Sequence, residues 1–315
     1  MTARVLEAVP NFSEGRDLDV VSAIVDAMQG AGATVLDWTA DADHHRSVIT
    51  IVGSPDAVEE AALAGADVAF RHINLRNHDG VHPRIGALDV LPFIPLVGLT
   101  LEHARAVAQR VGRRIALELG VPVYFYAQAS DPPGQSLATL RRGGFEELVR
   151  GWPGGRVPDV MPIGWSHPGA HPTAGATCVG ARSVLLAWNV LVSGLSIARA
   201  REVARALREK HSGFAGVRAL ALELPRRSAI QISMNLEDPA VTPPALVFDH
   251  LEALVTAAEG RVVETEIIGL MPDELVVSIA EQRLRLVPGT GARLLSRQLS
   301  QYLAQTMNHP AERDE

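Results

Sequence analysis

The chain has 315 residues, of which 47% are apolar and 4% aromatic, and it carries a formal net charge of −7. The apolar fraction suffices for one large core or two smaller ones of about 150 residues, whereas the acidic balance argues against nucleic acid as the main partner. The single cysteine excludes an internal disulfide, and no signal peptide or membrane-spanning segment is evident, so we expect a cytoplasmic protein.

The first half alternates strand-like and helix-like segments. Helices are predicted over residues 20–30 and after Ser54, which stands before Pro55 as an N-cap stands before the first helical residue. Apolar, β-rich segments predict strands over residues 4–9, 33–38, 47–52 and 89–97. This order, β-α-β-β-α-β, is the split βαβ arrangement. A helix over residues 101–119 and a strand over 121–126 extend it.

The second half repeats this order after residues 132–180, a connection rich in Gly, Pro and His with little periodicity. Its predicted elements are a strand at 183–192, a helix at 197–207, strands at 217–224 and 229–236, a helix at 243–258 and a strand at 262–270. We therefore expect an α/β (α+β) protein with two ferredoxin-like βαββαβ-type subdomains, residues 1–180 and 181–315. Their sheets would pack around an inter-subdomain cleft, a usual place for a ligand.

Residues 78–90 carry the densest group of reactive side chains. Glycine and proline interrupt any helix here, so the segment is predicted to be a loop that feeds the buried strand at 89–97. His82 stands two residues before Arg84 and seven before Asp89, which places a proton acceptor beside an anion-binding group. The alternative is an ordinary loop histidine bonded to backbone or water, and we favour the functional interpretation.

Three other segments are candidates for binding. Residues 41–46, Asp-Ala-Asp-His-His-Arg, form a polar turn between two predicted strands, and residues 10–16 follow the first strand. Residues 171–182 contain small residues around Gly175, where backbone can approach a flat ligand closely. A solvated hairpin loop, a helix cap and a tight connecting loop are the respective alternatives. There is no Walker motif, no G-x-G-x-x-G after the first strand and no G-x-S-x-G.

The histidine count raises the possibility of a metal site. His78 and His82 are four residues apart, but Gly80 and Pro83 make a helix between them implausible, so no metal is expected.

These motifs resemble those of the formiminotransferase domain family, which in animals is fused to a cyclodeaminase. The resemblance covers nearly the whole chain in order. It rests on Val9-Pro-Asn-Phe-Ser-Glu-Gly-Arg16, Asp41-Ala-Asp-His-His-Arg46, His82-Pro-Arg-Ile-Gly-Ala-Leu-Asp-Val90, Val121-Pro-Val-Tyr124, His171-Pro-Thr-Ala-Gly-Ala-Thr-Cys-Val-Gly-Ala-Arg182 and Gln231-Ile-Ser-Met-Asn235.

The resemblance implies that each chain has a folate tunnel between its two subdomains and that the protein is a homodimer. It also implies transfer of a formimino group from N-formimino-L-glutamate to tetrahydrofolate, a co-substrate, with His82 as the catalytic general base and acid. Catalytic support is expected from Asp41, Arg46, Arg84 and Asp89, either aspartate being a candidate to orient His82. Substrate or folate contacts are expected from Asn11, Ser13, Glu14, His45, Gly164, His171, Thr173, Gly175, Ala176 and Arg182.

The chain departs from the family pattern at three places. His45 stands where the family usually has Asn, Leu191 replaces the second Asn of an N-V-N pattern, and the loop at 161–170 looks longer than usual. The changes at His45 and Leu191 motivate the first of three alternatives that stay open, and the number of histidines motivates the third. These alternatives are a folate-dependent transferase with another donor such as 5-formyltetrahydrofolate, a non-catalytic folate-binding protein, and a metal-dependent hydrolase.

Overall fold

The computed structural model describes residues 3–284 together with residues 295, 297, 298 and 300. In the first half, the strands are β1 (Val5–Ala8), β2 (Asn11–Phe12), β3 (Thr34–Asp41), β4 (Arg46–Gly53), β5 (Leu88–Val97), β6 (Val123–Ala127) and β7 (Thr177–Ala181). Its helices are α1 (Leu18–Gly30), α2 (Pro55–His72), α3 (Leu101–Leu119), α4 (Leu137–Leu140) and α5 (Gly144–Leu148). The second half contains β8 (Leu186–Ser193), α6 (Ile197–Leu207), β9 (Val217–Leu224), β10 (Ala229–Leu236), α7 (Pro244–Ala257), β11 (Arg261–Ile268) and α8 (Asp273–Leu284).

The two halves share one strand arrangement. The second sheet has the order β11-β8-β10-β9 and is antiparallel throughout. In the first sheet, β1 and β2 form one interrupted strand between β4 and β5, and β3 lies outside β4. In both halves the first strand thus lies between the third and the fourth, which confirms the two ferredoxin-like subdomains. Strands β7 and β6 extend the first sheet in parallel beyond β5.

Local sequence signals explain where the helices begin. The Oγ of Ser54 accepts a hydrogen bond from the backbone N–H of Ala57, with Pro55 at the first helical position of α2. Asp17 caps α1 in the same way, accepting from the backbone N–H groups of Asp19 and Val20. The start of α2 lies where the sequence predicted it, while α1 begins at Leu18, two residues before its predicted start. None of the helices in the described chain is long and apolar enough to cross a membrane.

Each sheet packs its helices over one face. Helices α1, α2 and α3 bury their apolar sides against the first sheet, while α6 and α7 cover the second. The opposite face of β5 is also buried, because residues from the connection between β6 and β7 pack on it with Val90, Tyr124 and Cys178. Burial on both faces makes β5 a rigid support for the loop that precedes it.

The connection over residues 132–180 is more regular than expected. It contains α4, α5 and most of β7, which pairs in parallel with both β5 and β6. The prediction of an irregular connection was wrong here because β7 reads Thr-Cys-Val-Gly-Ala, a short run of small residues without alternation. Only its neighbours on both sides make it a strand. The polar turn between β3 and β4 is also shorter than predicted, since those strands reach Asp41 and resume at Arg46.

Among the described residues, several contacts join the two halves at the β3–β4 turn. His44 Nε2 lies 2.7 Å from Gln231 Oε1 on β10, and both residues are buried. Asp43 accepts a hydrogen bond of 2.9 Å from the backbone N–H of Arg226, and Arg227 pairs with Asp41 at 2.6 Å. The β9–β10 hairpin is therefore attached to the β3–β4 turn.

We predict opposite effects for alanine at two glycines. A Cβ at Gly86 would overlap the carbonyl oxygens of Ala176 and Leu88, whereas a Cβ at Gly30 meets nothing within 4 Å at the end of α1. We expect Gly86→Ala to lower the free energy of unfolding by about 1–3 kcal/mol and Gly30→Ala to leave it unchanged or raise it by up to about 1 kcal/mol. Urea denaturation of both variants measures this, and equal effects would contradict the close approach at Gly86.

Candidate active site

The short strand β2 brings three polar loops to one place. Asn11 and Phe12 pair with Val48 and Ser47 of β4 on one side, and with β5 on the other. The loop after β2, the turn before β4 and the loop before β5 therefore meet at the same edge. Backbone hydrogen bonds fix their contact, from Ser13 N to Ala87 O at 2.8 Å and from Val81 N to Asp43 O at 3.0 Å.

His82 lies half-buried where these loops meet. Its Nδ1 is 2.9 Å from the carbonyl oxygen of Pro83, and Nη1 of Arg46 lies 2.6 Å from Nε2 and 2.9 Å from Nδ1. The ring of His44 stacks beside it, with ring centroids 5.6 Å apart. No carboxylate among the described residues forms an ion pair or hydrogen bond with His82.

These partners define the protonation of the ring. A carbonyl only accepts, so the bond to Pro83 assigns the hydrogen to Nδ1 and leaves a lone pair on Nε2. A guanidinium only donates, so Arg46 can hydrogen-bond to Nε2 of this tautomer, at 2.6 Å, whereas its approach to Nδ1 is a close contact and not a hydrogen bond. Burial and the charges of Arg46 and Arg141, with His44 nearby, hold the pKa of His82 well below its usual value. Nε2 is thus a neutral proton acceptor at physiological pH.

Arg46 has an unusual environment for an arginine. Its Nη2 donates to Asn11 Oδ1, while Asn11 Nδ2 donates to the carbonyl of Val9 at 2.6 Å, which orients the amide. Burial, together with the charge of Arg141, lowers the pKa of Arg46 to about 9, although Asp89 opposes this. Arg46 has no ion pair with a carboxylate in the described part of the chain.

Asp89 acts on the loop and on Arg141, not on His82. The carboxylate is 2% exposed, its Oδ1 accepts a hydrogen bond of 2.8 Å from Ile85 N, and its Oδ2 pairs with Arg141. Asp41 pairs with Arg227 and accepts from the backbone N–H of His44 at 2.8 Å. Neither aspartate contacts His82, as either had been expected to do. Arg141 was missed because it lies in the connection, outside the motifs described above.

Glu14 and His45 form a second polar pair at the site. His45 Nε2 is 3.1 Å from Glu14 Oε1, which also accepts from the backbone N–H groups of Gly15, Arg16 and Asp17 at 2.9, 2.8 and 3.0 Å. Burial opposes the charged form of Glu14, but these hydrogen bonds outweigh it and lower the pKa to about 2. This carboxylate stays charged and holds the loop after β2 in place.

His78 supports the ring of His45. The two rings stack with centroids 4.3 Å apart, and His78 Nε2 lies 2.7 Å from the carbonyl of His45. Burial, with the charges of Arg84 and His45, lowers the pKa of His78 to about 4 despite that hydrogen bond. A neutral His78 can therefore hold the backbone of the β3–β4 turn over the physiological pH range.

The remaining predicted arginines and Ser13 make other contacts. Arg84 Nη2 donates to the carbonyl of His78 at 2.9 Å and to Glu146 at 2.7 Å. Arg182 follows β7, and burial, opposed by the charges of Tyr126 and Glu7, lowers its pKa. The Oγ of Ser13 donates to the carbonyl of Gly86 at 2.7 Å, which ties two of the loops together.

The predicted folate-binding segment lies over the same loops. Gly175 has φ +72° and exchanges backbone hydrogen bonds with His171, and Ala176 N donates to the carbonyl of Ile85 at 2.9 Å. The Nδ1 of His171 accepts from the backbone N–H of Thr173 at 3.3 Å. Gly164, by contrast, lies in an exposed loop with φ +71°.

Several polar groups at this site lack an internal partner. The buried atoms without a hydrogen bond in the described structure include His45 Nδ1, Arg46 Nε, Arg84 Nε and Arg141 Nε. A buried polar group without a partner is costly, so their concentration here indicates a site that binds a polar ligand. Within residues 3–284 no group of three or more His, Cys, Asp or Glu side chains is placed to hold a metal ion.

The second sheet contributes a small pocket beside His44. It is lined by Asn189, Leu191, Arg227, Gln231, Glu264 and Glu266. Gln231 is the residue that binds His44, which in turn stacks on His82. Leu191, which departs from the family pattern, therefore lines the same pocket as the residue that connects the second half to His44 and His82.

Comparison with known proteins assigns the family. A model of the formiminotransferase domain, N-terminal subdomain, matches residues 5–182, and a model of the formiminotransferase domain matches residues 187–285. Glutamate formimidoyltransferase of Thermoplasma acidophilum is 37% identical over 303 residues, covering 94% of this chain and 97% of that protein. The protein of the same name from Streptococcus pyogenes serotype M1 is 34% identical, covering 90% and 94%.

Formimidoyltransferase-cyclodeaminase of Gallus gallus is 36% identical over 293 residues, which are 89% of this chain and 52% of that longer protein. Both parts of the domain are matched in order, and the loops that carry Arg46 and His82 lie within the first match. The chain belongs to the formiminotransferase family.

Proposed function

We propose that this protein is a glutamate formimidoyltransferase, which moves the formimino group of N-formimino-L-glutamate to tetrahydrofolate. The products are 5-formimidoyltetrahydrofolate and L-glutamate. One observation carries the proposal, namely a neutral imidazole whose Nε2 lone pair faces arginines at the junction of three loops. The two relatives of that name, which match this chain over nearly their whole length, support the choice of substrates.

The reaction needs one proton acceptor that later becomes a donor. The N5 amine of the reduced pterin attacks the amidine carbon and forms a C–N bond, and Nε2 of His82 takes the N5 proton. His82 then returns this proton to the glutamate nitrogen as its C–N bond to the amidine carbon breaks, so glutamate leaves as an amine. Such acid–base assistance typically contributes about 10²–10⁴-fold. The bond from Nδ1 to Pro83 keeps Nε2 as the reacting atom throughout.

The other expected residues fall into two roles in this proposal. Arg46, Arg84 and Arg182 provide positive charge for substrate carboxylates, since charge-assisted hydrogen bonds suit them. Asn11, Ser13, Glu14, Asp41 and Asp89 hold those side chains and loops, and His45, Gly164, His171, Thr173, Gly175 and Ala176 form the walls around the folate. Residues 1–180 would act as the catalytic subdomain and 181–315 as the second.

We further propose a cytoplasmic homodimer that acts in histidine degradation. We infer the pathway from the formimino donor, and we infer the dimer from the family resemblance. The outer edge of β11 has no strand partner among the described residues, and Val263 and Leu270 near it are 51% and 48% exposed. An unpaired edge with exposed apolar residues suits a contact with a second copy.

The donor assay tests the proposed function directly. The purified chain is incubated either with tetrahydrofolate and N-formimino-L-glutamate or with 5-formyltetrahydrofolate and L-glutamate, and the folate product is followed by absorbance. We expect the first mixture to form 5-formimidoyltetrahydrofolate. The kcat/KM for N-formimino-L-glutamate should be at least about tenfold above the kcat/KM for 5-formyltetrahydrofolate. Turnover of only the second mixture would replace the proposed donor, and folate binding without any turnover would exclude an enzyme of this type.

The role of His82 is tested by substitution. We expect His82→Ala to lower kcat about 10²–10⁴-fold without loss of folding, because the ring is half-buried and outside the apolar cores. His72→Asn, at an exposed position at the end of α2, is the matched control and should keep full activity. Steady-state rates and thermal unfolding report both effects, and a near-normal rate for His82→Ala would remove the proton shuttle.

The lowered pKa of His82 predicts the acid side of the pH profile. Because burial and the neighbouring arginines disfavour the charged ring, His82 stays a base below pH 6.5. The acid limb of kcat/KM for the free enzyme should therefore have an apparent pKa below about 6.5, the usual value for histidine. Rates between pH 4.5 and 8 measure it, and a limb centred at pH 7 or higher would be incompatible with this geometry.

A further inference from the structure

We infer that Arg46 is the receptor for the α-carboxylate of the amino-acid donor, and that binding of this carboxylate uncovers Nε2 of His82. The inference rests on the proposed transfer from an N-substituted amino acid. It extends that proposal by assigning one substrate group to one arginine and by making the base available only when the donor is bound.

The first argument is that the base is covered in the free protein. Nη1 of Arg46 lies within 3 Å of both ring nitrogens of His82, at 2.6 and 2.9 Å. A substrate N–H needs the same lone pair on Nε2, and an imidazole nitrogen accepts one hydrogen bond there. The guanidinium must therefore move before the imidazole can take a proton.

The second argument is that Arg46, unlike its neighbours, has no anionic partner among the described residues. Arg141 pairs with Asp89, Arg84 with Glu146 and Arg227 with Asp41. Arg46 has only Asn11 and His82 as side-chain partners in the described chain, and its Nε is buried without a hydrogen bond. A carboxylate would supply the paired acceptors that a guanidinium fork fits.

The third argument concerns which carboxylate reaches this place. In an N-formimino amino acid, the α-carboxylate is attached to the same carbon as the nitrogen that leaves. It therefore lies beside that nitrogen, which His82 must protonate. The carboxylates of a folate lie at the far end of the molecule, beyond its aromatic ring. An arginine in contact with His82 is thus matched to the donor.

The groups around His82 allow this movement without loss of the reactive tautomer. The ring faces Arg46 from β4, Arg141 from the end of α4, His44 from the β3–β4 turn, and the carbonyl of Pro83. Among the described residues, Arg46 alone forms a hydrogen bond to Nε2. When Arg46 turns to a carboxylate, the bond from Nδ1 to Pro83 is retained. One hydrogen bond to Nε2 is lost, and an ion pair replaces it.

The test uses proton NMR titration of the full chain, with the His82 signal identified by its absence in His82→Asn. The variants are Arg46→Met, Arg46→Lys and, as a matched control, Arg199→Met, which alters an exposed arginine on α6. The ligands are L-glutamate, L-glutamine, which keeps the α-carboxylate, and L-isoglutamine, which has an α-amide instead. These small probes do not depend on turnover.

We expect L-glutamate and L-glutamine to raise the titration midpoint of His82 in the wild type and in Arg199→Met, and L-isoglutamine to leave it unchanged. In Arg46→Met the midpoint should be higher without ligand and should not respond to any of the three, while Arg46→Lys should respond weakly. An unchanged midpoint with L-glutamate in the wild type, or an equal response in Arg46→Met, would overturn the inference.

Steady-state kinetics provides the second measurement. We expect Arg46→Met to raise the KM for N-formimino-L-glutamate about 10- to 100-fold, as for loss of a charge-assisted hydrogen bond, with a smaller change in kcat. Arg46→Lys should recover part of this loss, and an unaltered KM in Arg46→Met would oppose the inference.

The proposed function and the proposed role of Arg46 can fail independently. A ligand response without transfer would reject only the proposed function, and transfer without a response would reject only the role of Arg46.

Discussion

The pairing of β2 on both of its edges is the constraint on which the site depends. This strand has two residues, and its register places Asn11 opposite Val48 and Val90. The chain leaves β2 where β4 and β5 begin, so three loops that are distant in sequence must meet. Their hydrogen-bonding groups then satisfy one another or remain available to a ligand, because little water reaches a half-buried junction. The pairing of the strands, and not the conformation of the loops themselves, therefore decides where the three loops meet.

Electrostatic balance at the junction explains why His82 is neutral. Arg46 and Arg141 lie close enough for each to disfavour the charge of His82, and Asp89 neutralises only Arg141 directly. An excess of buried positive charge lowers the proton affinity of nearby imidazoles and attracts anions. Both effects suit the proposed transfer, in which the substrates carry carboxylates and His82 acts as a base.

The second half acts on this site through the β3–β4 turn. Gln231 binds His44, and the backbone N–H of Arg226 binds Asp43, so two consecutive turn residues are attached to one hairpin. His44 stacks on His82, so the position of the His82 ring depends on both subdomains. A duplicated fold thus has unequal halves, one that carries the reactive groups and one that holds their loop in place.

The sequence alone determined the β-α-β-β-α-β order within each half, the N-cap at Ser54 and the loop in which His82 lies. These features depend on local periodicity and turn chemistry, which act over a few residues. The tertiary structure decided the partners of His82, which are Arg46 and a backbone carbonyl and not Asp41 or Asp89. It also decided the strand β7 and the role of Arg141, because both depend on neighbours more than 40 residues away in sequence, such as Asp89, which lies 52 residues from Arg141. Spacing in a sequence does not encode which of several nearby charges a fold brings into contact.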